Sequence, residues 1–190
     1  MITENNIKKI SEEHLTPCFV FDENYLITRA QKIREILGDI SFCYSVKANP
    51  FLIQSLIPIV DYFEVCSPGE LEICKELLVP GNKIIYSGVH KETTDVEEAI
   101  RYGVSILTAE SIRHFEIIRK VSDNLDTAVD VILRLTSKNQ FGMSREDIES
   151  ILTKSSSRIN IIGIHYFAGT GRKQVKKHRE DDDPNFRHIT

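Results

Sequence analysis

Short apolar segments alternate with single helical segments along most of the chain, and this alternation restricts the possible folds more than any other feature. A helical segment of about ten residues lies between each apolar segment and the next. Strands joined by single helices predict repeated βα units and a parallel sheet. The predicted strands are SFCYSV (41–46), YFEVC (62–66), KIIYSG (83–88), SILTA (105–109), AVDVILRL (128–135) and INIIGIHYF (159–167).

Two architectures contain such repeats, the doubly wound open sheet and the (β/α)8 barrel of the TIM type. A doubly wound sheet usually has a glycine-rich phosphate turn after its first strand, whereas Lys47-Ala48-Asn49-Pro50 follows 41–46 here. The even spacing of the units also favours the barrel. Because about six βα units are present and eight close a barrel, the sequence predicts an incomplete one.

The predicted organisation has three parts. Residues 1–40 contain a short first strand, CFVFD (18–22), and a helix, and residues 41–170 contain the partial barrel. Residues 171–190 change from basic to acidic without an apolar strand, and this pattern predicts a disordered or non-native tail. An open six-stranded sheet exposes its edges, so we expect a homodimer or another form of self-association.

The composition argues against several classes of function. The net charge of −4 gives no basic surface for nucleic acid, and no apolar run approaches the ~20 residues of a membrane span. The polar start of the chain lacks the apolar core of a secretory signal. The four cysteines have no CxxC spacing and the histidines no metal-binding spacing, so neither a disulfide framework nor a metal site is predicted. These features indicate a cytoplasmic protein.

Lys47 places a charged amine at the end of the apolar strand 41–46. Such a lysine either extends to solvent at the sheet edge or lies in a pocket as a nucleophile. Functional groups of a (β/α)8 barrel lie at the C-terminal ends of its strands, which favours the second interpretation without excluding the first. Other residues at the ends of predicted strands are Ser67, Gly88 to Lys91, Glu110, Gln140 and Phe167 to Thr170.

Five short motifs follow one another in order: YSVKANP (44–50), FEVCSPGEL (63–71), IIYSG (84–88), QFGM (140–143) and GIHYFAGT (163–170). With these motifs the chain resembles the fold-type III pyridoxal-phosphate decarboxylases, the ornithine/diaminopimelate/arginine decarboxylase group. The resemblance implies a (β/α)8 barrel followed by a β-rich second domain, which this chain is expected to lack. It also implies pyridoxal 5'-phosphate as cofactor and a free or carrier-linked amino acid as substrate.

The resemblance assigns roles to three residues near the start of the barrel. Lys47 is the lysine that forms the Schiff base with the cofactor, which requires a primary amine that is neutral part of the time. Glu64 matches an acidic position beside this lysine, where it balances charge or orients the imine. Ser67 matches a turn of small residues next to the cofactor, and the same serine is also predicted to cap the following helix.

Four further positions match the later motifs. Arg134 fits an inward arginine that holds the O3′ side of the cofactor or a substrate carboxylate. Phe167 stands where many relatives have a histidine that stacks on the pyridine ring, and an aromatic ring can still stack there. Thr170 replaces a serine and is expected to contact the cofactor through its hydroxyl. His165 is either a site residue or an inward-facing histidine with satisfied hydrogen bonds.

The function implied by the resemblance is pyridoxal-phosphate-dependent decarboxylation of an amino acid. The phosphate-binding glycine loop and the second domain of the family have no counterpart in the sequence, so the chain is expected to be truncated and inactive. Two alternatives remain open. One is a non-catalytic partner or dimerisation module derived from this family, and the other is an amino-acid racemase of the same barrel class.

Overall fold

The computed structural model describes residues 2–14, 16–137, 140–153, 157–167 and 169. These residues form seven helices and six strands. The helices are α1 (Glu4–Glu13), α2 (Glu23–Leu37), α3 (Ile53–Leu56), α4 (Pro68–Glu76), α5 (Thr93–Tyr102), α6 (Ile112–Asn124) and α7 (Arg145–Leu152). The strands are β1 (Cys43–Ser45), β2 (Tyr62–Val65), β3 (Ile84–Tyr86), β4 (Ile106–Ala109), β5 (Val129–Leu135) and β6 (Ile159–Tyr166). Short 3-10 turns lie at Val46–Ala48, Pro50–Leu52 and Gly81–Lys83.

The chain divides into two compact units, Met1–Leu107 and Thr108–Thr190. In the first unit β1 pairs with β2, β2 with β3 and β3 with β4, always in parallel. In the second unit β5 pairs in parallel with β6. The predicted α/β class with six parallel strands is confirmed, and the six strands of the described residues are fewer than the eight of a closed barrel.

The strands of the first unit separate apolar from polar side chains by simple alternation. Phe63 and Val65 of β2 have no exposed surface, and neither do Ile84 and Tyr86 of β3. Because successive residues of a strand point to opposite faces, Glu64 lies on the face away from Phe63 and Val65. The hydrophobic core thus fixes the direction in which the carboxylate of Glu64 points.

Helix α4 begins where the sequence predicts it. The hydroxyl of Ser67 accepts a hydrogen bond from the backbone N–H of Glu70 at 3.2 Å, and Pro68 occupies the first helical position. The carboxylate of Glu70 accepts a bond from the backbone N–H of Cys66 at 2.9 Å. These contacts tie the end of β2 to the start of α4.

The second unit shows the same alternation along β5. Val131 and Leu133 have no exposed surface, so Arg134 points to the opposite face of the strand. Helix α7 begins with a capping box, in which Ser144 and Asp147 exchange side-chain-to-backbone hydrogen bonds of 3.1 Å.

The predicted first strand at 18–22 is wrong. These residues form no strand, Phe19 is fully exposed, and Asp22 instead caps α2 by accepting a bond from the backbone N–H of Tyr25 at 2.9 Å. An apolar pattern shows that a segment can form a strand, but a strand also needs a neighbour to pair with. The polar segment before it forms α1, which the apolar periodicity does not predict.

No described helix combines the length and the apolar character that crossing a membrane requires. Within the described residues, no group of three or more histidine, cysteine, aspartate or glutamate side chains is placed to bind a metal ion. The predicted tail, 171–190, lies outside the described residues, and the predicted boundaries at 40 and 170 stay predictions.

Candidate active site

Lys47 lies on a 3-10 turn directly after β1. Val46, which is fully buried, anchors this turn in the core. The ammonium nitrogen of Lys47 lies 3.8 Å from Oε2 of Glu64 and 3.8 Å from Sγ of Cys66. The Lys47 side chain is 61% exposed. The amine is therefore located by two long contacts and stays accessible from solvent.

Glu64 is held more firmly than Lys47. Residues Ser45 and Glu64 are directly paired across β1 and β2, and the Ser45 hydroxyl donates a 2.8 Å hydrogen bond to Oε2 of Glu64. The Glu64 side chain is only 21% exposed. Because the partner amine is mostly solvated, the ion pair contributes at most about 1 kcal/mol to stability. Its main effect is to give the lysine amine a fixed anionic neighbour.

Cys66 is a third member of this cluster, and the sequence analysis does not identify it. Its thiol accepts a hydrogen bond from the Lys47 amine. Burial raises the pKa of the Cys66 thiol, and the nearby carboxylate of Glu64 raises it further. The thiol therefore stays protonated near neutral pH. Its position immediately after β2 is the sequence signal that marks it as a strand-end residue.

Ser67 follows Cys66 and has a structural role in the described chain. Its hydroxyl caps α4 by accepting the bond from Glu70, so the capping interpretation of this serine is confirmed. The predicted contact between Ser67 and the cofactor stays a prediction. Ser67 nevertheless contributes a small side chain directly after Cys66, at the edge of the sheet where Lys47 lies.

Arg134 belongs to the second unit and is paired with a residue that the site prediction omits. Its Nη1 donates to Oε2 of Glu110 at 2.6 Å, and the two side chains are 13% and 4% exposed. The guanidinium also lies 5.2 Å from the ring centre of Phe141. A carboxylate or a phenolic oxygen bound by Arg134 would thus share the guanidinium with Glu110. Glu110 directly follows β4, so its place at a strand end was visible in the sequence.

His165 and Phe167 also lie in the second unit. His165 is the register partner of Arg134 across β5 and β6 and is partly buried. Phe167 comes one residue after the end of β6, and 44% of it is exposed, so its ring is free to accept a stacking partner. Thr170 lies outside the described residues. The structure thus groups Lys47, Glu64 and Ser67 in one unit, and Arg134, His165 and Phe167 in the other.

The Lys47 cluster of the first unit contains the group with which an aldehyde cofactor reacts, a primary amine. Lys47 offers an accessible primary amine, and Glu64 places a carboxylate 3.8 Å from this amine. Cys66 keeps its proton and therefore does not add a competing thiolate nucleophile. These residues come from the C-terminal ends of β1 and β2, which is the functional edge of parallel barrels.

A family model described as the pyridoxal binding domain of pyridoxal-dependent decarboxylases matches residues 23–181. A diaminopimelate decarboxylase of Aquifex aeolicus is 23% identical over an alignment of 194 positions, gaps included, which covers 92% of this chain and 46% of the relative. An L-glutamyl-(acyl-carrier protein) decarboxylase of Niallia circulans is 23% identical over an alignment of 193 positions, gaps included, which covers 89% of this chain and 44% of the relative.

Solved structures agree with the sequence matches. The crystal structure of SrLDC in complex with PLP and cadaverine superposes with a TM-score of 0.80 at 22% identity, covering 95% of this chain and 48% of that one. At this identity the superposition shows the fold alone. The chain thus spans just under half the length of the relatives that it matches. The family match confirms the predicted cofactor, pyridoxal 5'-phosphate.

Proposed function

The chain belongs to the pyridoxal-dependent decarboxylase family, and we propose that its protein releases carbon dioxide from an amino acid with pyridoxal 5'-phosphate held at Lys47. The observation that carries this proposal is the accessible amine of Lys47, 3.8 Å from the fixed carboxylate of Glu64 at the end of two parallel strands. For the 190-residue chain taken by itself, we propose that it holds the cofactor without turnover, because its relatives are about twice as long.

When bound, the cofactor supplies an electron sink for the electron pair that remains as the α-carboxylate departs. The residues of the chain prepare the amine for this chemistry. Ser45 donates to Glu64 and so fixes the carboxylate at 3.8 Å from Nζ of Lys47. Cys66 accepts from the same Nζ and limits the directions in which the amine points. Lys47 thereby combines solvent access with a restricted orientation.

The substrate that we propose is an amino acid, either free or linked to a carrier. Support for both forms comes from the relatives, since one is named as a diaminopimelate decarboxylase and another as a decarboxylase of a glutamyl group on an acyl-carrier protein. Arg134, His165, Phe167 and Thr170 keep their proposed roles near the cofactor or substrate on the strength of the family motifs.

We also propose that the protein is cytoplasmic and that it self-associates. Among the described strands β1 pairs only with β2, so one edge of β1 offers unpaired backbone groups to a second copy. Size-exclusion chromatography with light scattering measures the mass of the particle. We expect at least a dimer, and a stable monomer over the accessible concentrations contradicts self-association.

The test of the proposed function locates the cofactor on the chain. The protein is incubated with pyridoxal 5'-phosphate, reduced with borohydride, digested and examined by mass spectrometry. We expect the pyridoxyl-phosphate group on the peptide that contains Lys47, and its loss in Lys47→Ala. Lys120→Ala removes an exposed lysine of α6 and is expected to leave the labelling unchanged. A label spread evenly over the exposed lysines refutes the assignment.

A further inference from the structure

Lys91 is a buried cation in the loop between β3 and α5. Only 1% of this residue is exposed. Its ammonium donates to the backbone oxygens of Ser87 at 2.8 Å and Gly88 at 2.6 Å, and it lies 5.4 Å from the ring centre of Tyr86. A buried ammonium is unfavourable unless it is surrounded by acceptors, and two carbonyl dipoles and an aromatic face act as such here. The loop is therefore closed around the side chain of Lys91.

The segment that Lys91 closes lies against the end of β2. The backbone N–H of Ser87 donates to the oxygen of Val65 at 2.8 Å. Gly88 has a positive φ of 97°, and a Cβ placed on it would lie 2.2 Å from the backbone oxygen of Cys66. Only glycine fits at this distance. The two carbonyls that Lys91 holds thus belong to the residues that touch Val65 and Cys66.

Cys66 connects this loop to the candidate active site, because its thiol accepts the hydrogen bond from the Lys47 amine. We propose that Lys91 is a positioning residue for Lys47. The ammonium of Lys91 keeps Ser87 against Val65 and Gly88 against the backbone of Cys66. Cys66 in turn restricts the Lys47 amine. The catalytic meaning of this inference rests on the proposed function, but the coupling between the two lysines does not.

Lys83 provides a matched control within the same unit. Its ammonium also donates to two backbone oxygens, those of Ile57 at 2.8 Å and Val60 at 3.0 Å. It lies directly before β3, whereas Lys91 lies after β3, so the two lysines act at opposite ends of one strand. Lys83→Met and Lys91→Met each remove two ammonium-to-carbonyl bonds. Only the second change acts on the loop that touches Cys66.

The experiment measures the reactivity of Lys47 without cofactor. An amine-acylating reagent is added to the full chain, and mass spectrometry follows the labelling rate of the peptide that contains Lys47. In Lys91→Met the rate is expected to rise about twofold, the factor that corresponds to the lower end of the net contribution of one hydrogen bond, because the Lys47–Cys66 contact is long at 3.8 Å. In Lys83→Met it is expected to stay unchanged. Equal rates in wild type and Lys91→Met, or the same rise in both variants, overturn the proposal.

A second variant keeps the test decisive if Lys91→Met does not fold. Gly88→Ala retains Lys91 but pushes the loop away from Cys66, because the new Cβ overlaps the Cys66 oxygen. The same rise in Lys47 labelling is expected, and an unchanged rate overturns the proposal. Because no cofactor is present, these outcomes are independent of the borohydride experiment. Failure of the cofactor to attach to Lys47 refutes the proposed function and leaves the coupling between Lys91 and Lys47 to be judged by the labelling rates.

Discussion

The ion pair between Glu110 and Arg134 gives the sharpest stability prediction. Nη1 of Arg134 lies 2.6 Å from Oε2 of Glu110, and the side chains of Glu110 and Arg134 are 4% and 13% exposed. Two unit charges at this distance attract by about 6 kcal/mol at an effective dielectric constant of about 20, and the removal of both side chains from water offsets most of this. Glu110→Gln therefore leaves an uncompensated buried guanidinium. Losing one member of a buried pair typically destabilises a protein by about 3–5 kcal/mol.

We expect a loss near the lower end, about 3 kcal/mol, because glutamine still accepts one hydrogen bond and the guanidinium keeps its contact with Phe141. Urea unfolding of the two proteins measures the difference in the free energy of unfolding. The matched control is Glu116→Gln, which removes the carboxylate that Arg119 contacts at 2.8 Å with about a third of each side chain exposed. That change is expected to cost less than about 1 kcal/mol.

A double variant separates the loss of the pair from the burial of a lone charge. Glu110→Gln combined with Arg134→Met removes both charges, so its stability should exceed that of Glu110→Gln alone. A coupling of about 2 kcal/mol or more is expected for such a buried pair. If Glu110→Gln costs no more than Glu116→Gln, or if the double variant is the least stable of the set, the reasoning about this pair is refuted.

Three further predictions concern the framework and use the same urea measurement. Burial raises the pKa of the Cys74 thiol from 9.0 to about 11. The unfolded chain therefore loses this proton at a lower pH than the folded chain, and the folded state loses stability as the pH rises from about 9 to 11. Cys74→Ala should reduce this loss by about 2–3 kcal/mol, and identical pH profiles of the two proteins contradict this prediction. Gly81→Ala places a Cβ 2.3 Å from the backbone oxygen of Tyr102 and should lower the free energy of unfolding by about 1–3 kcal/mol. The control Gly69→Ala meets no atom within 4 Å and should be neutral or slightly stabilising. Equal effects of the two substitutions contradict this prediction. Ser144→Ala removes the cap of α7 and should cost about 1 kcal/mol, and an unchanged midpoint contradicts that role.

The regular part of the fold is readable from the sequence because it depends on short-range signals. Alternating apolar residues fix the faces of β2 and β5, and a serine followed by an acidic residue begins α4 and α7. The segment 18–22 carries the same alternation and is not a strand, since pairing depends on a distant neighbour that the local pattern does not contain. Helix α5 begins without a serine or threonine cap: Glu92 occupies the capping position, and Asp95 completes the box from within the helix.

The cluster of Lys47 and Glu64 is also predictable, because parallel neighbouring strands bring their C-terminal ends to the same edge. What the sequence does not reveal is how deeply a charged residue at a strand end is buried. Lys47, Lys91 and Glu110 all occupy such ends, and their sequence surroundings are similar mixtures of apolar and small residues. Burial differs because it depends on how the chain folds around each charge: the Lys91 ammonium is enclosed by its own loop, through Ser87 and Gly88, and Glu110 is covered by Arg134 from another strand.

These partners explain which strand-end charge is available for chemistry. Lys91 has two carbonyl oxygens within 2.8 Å, and Glu110 has a guanidinium at 2.6 Å, so each is largely removed from solvent and committed to its neighbours. Lys47 has only contacts of 3.8 Å, which are too long to repay the loss of its hydration, and its side chain stays 61% exposed. A reactive amine must exchange its partner for a carbonyl carbon, and short contacts oppose that exchange. Of these three charges, Lys47 is therefore the one that the fold leaves accessible for reaction. Lys91 instead binds the loop after β3, and Glu110 binds Arg134 of β5.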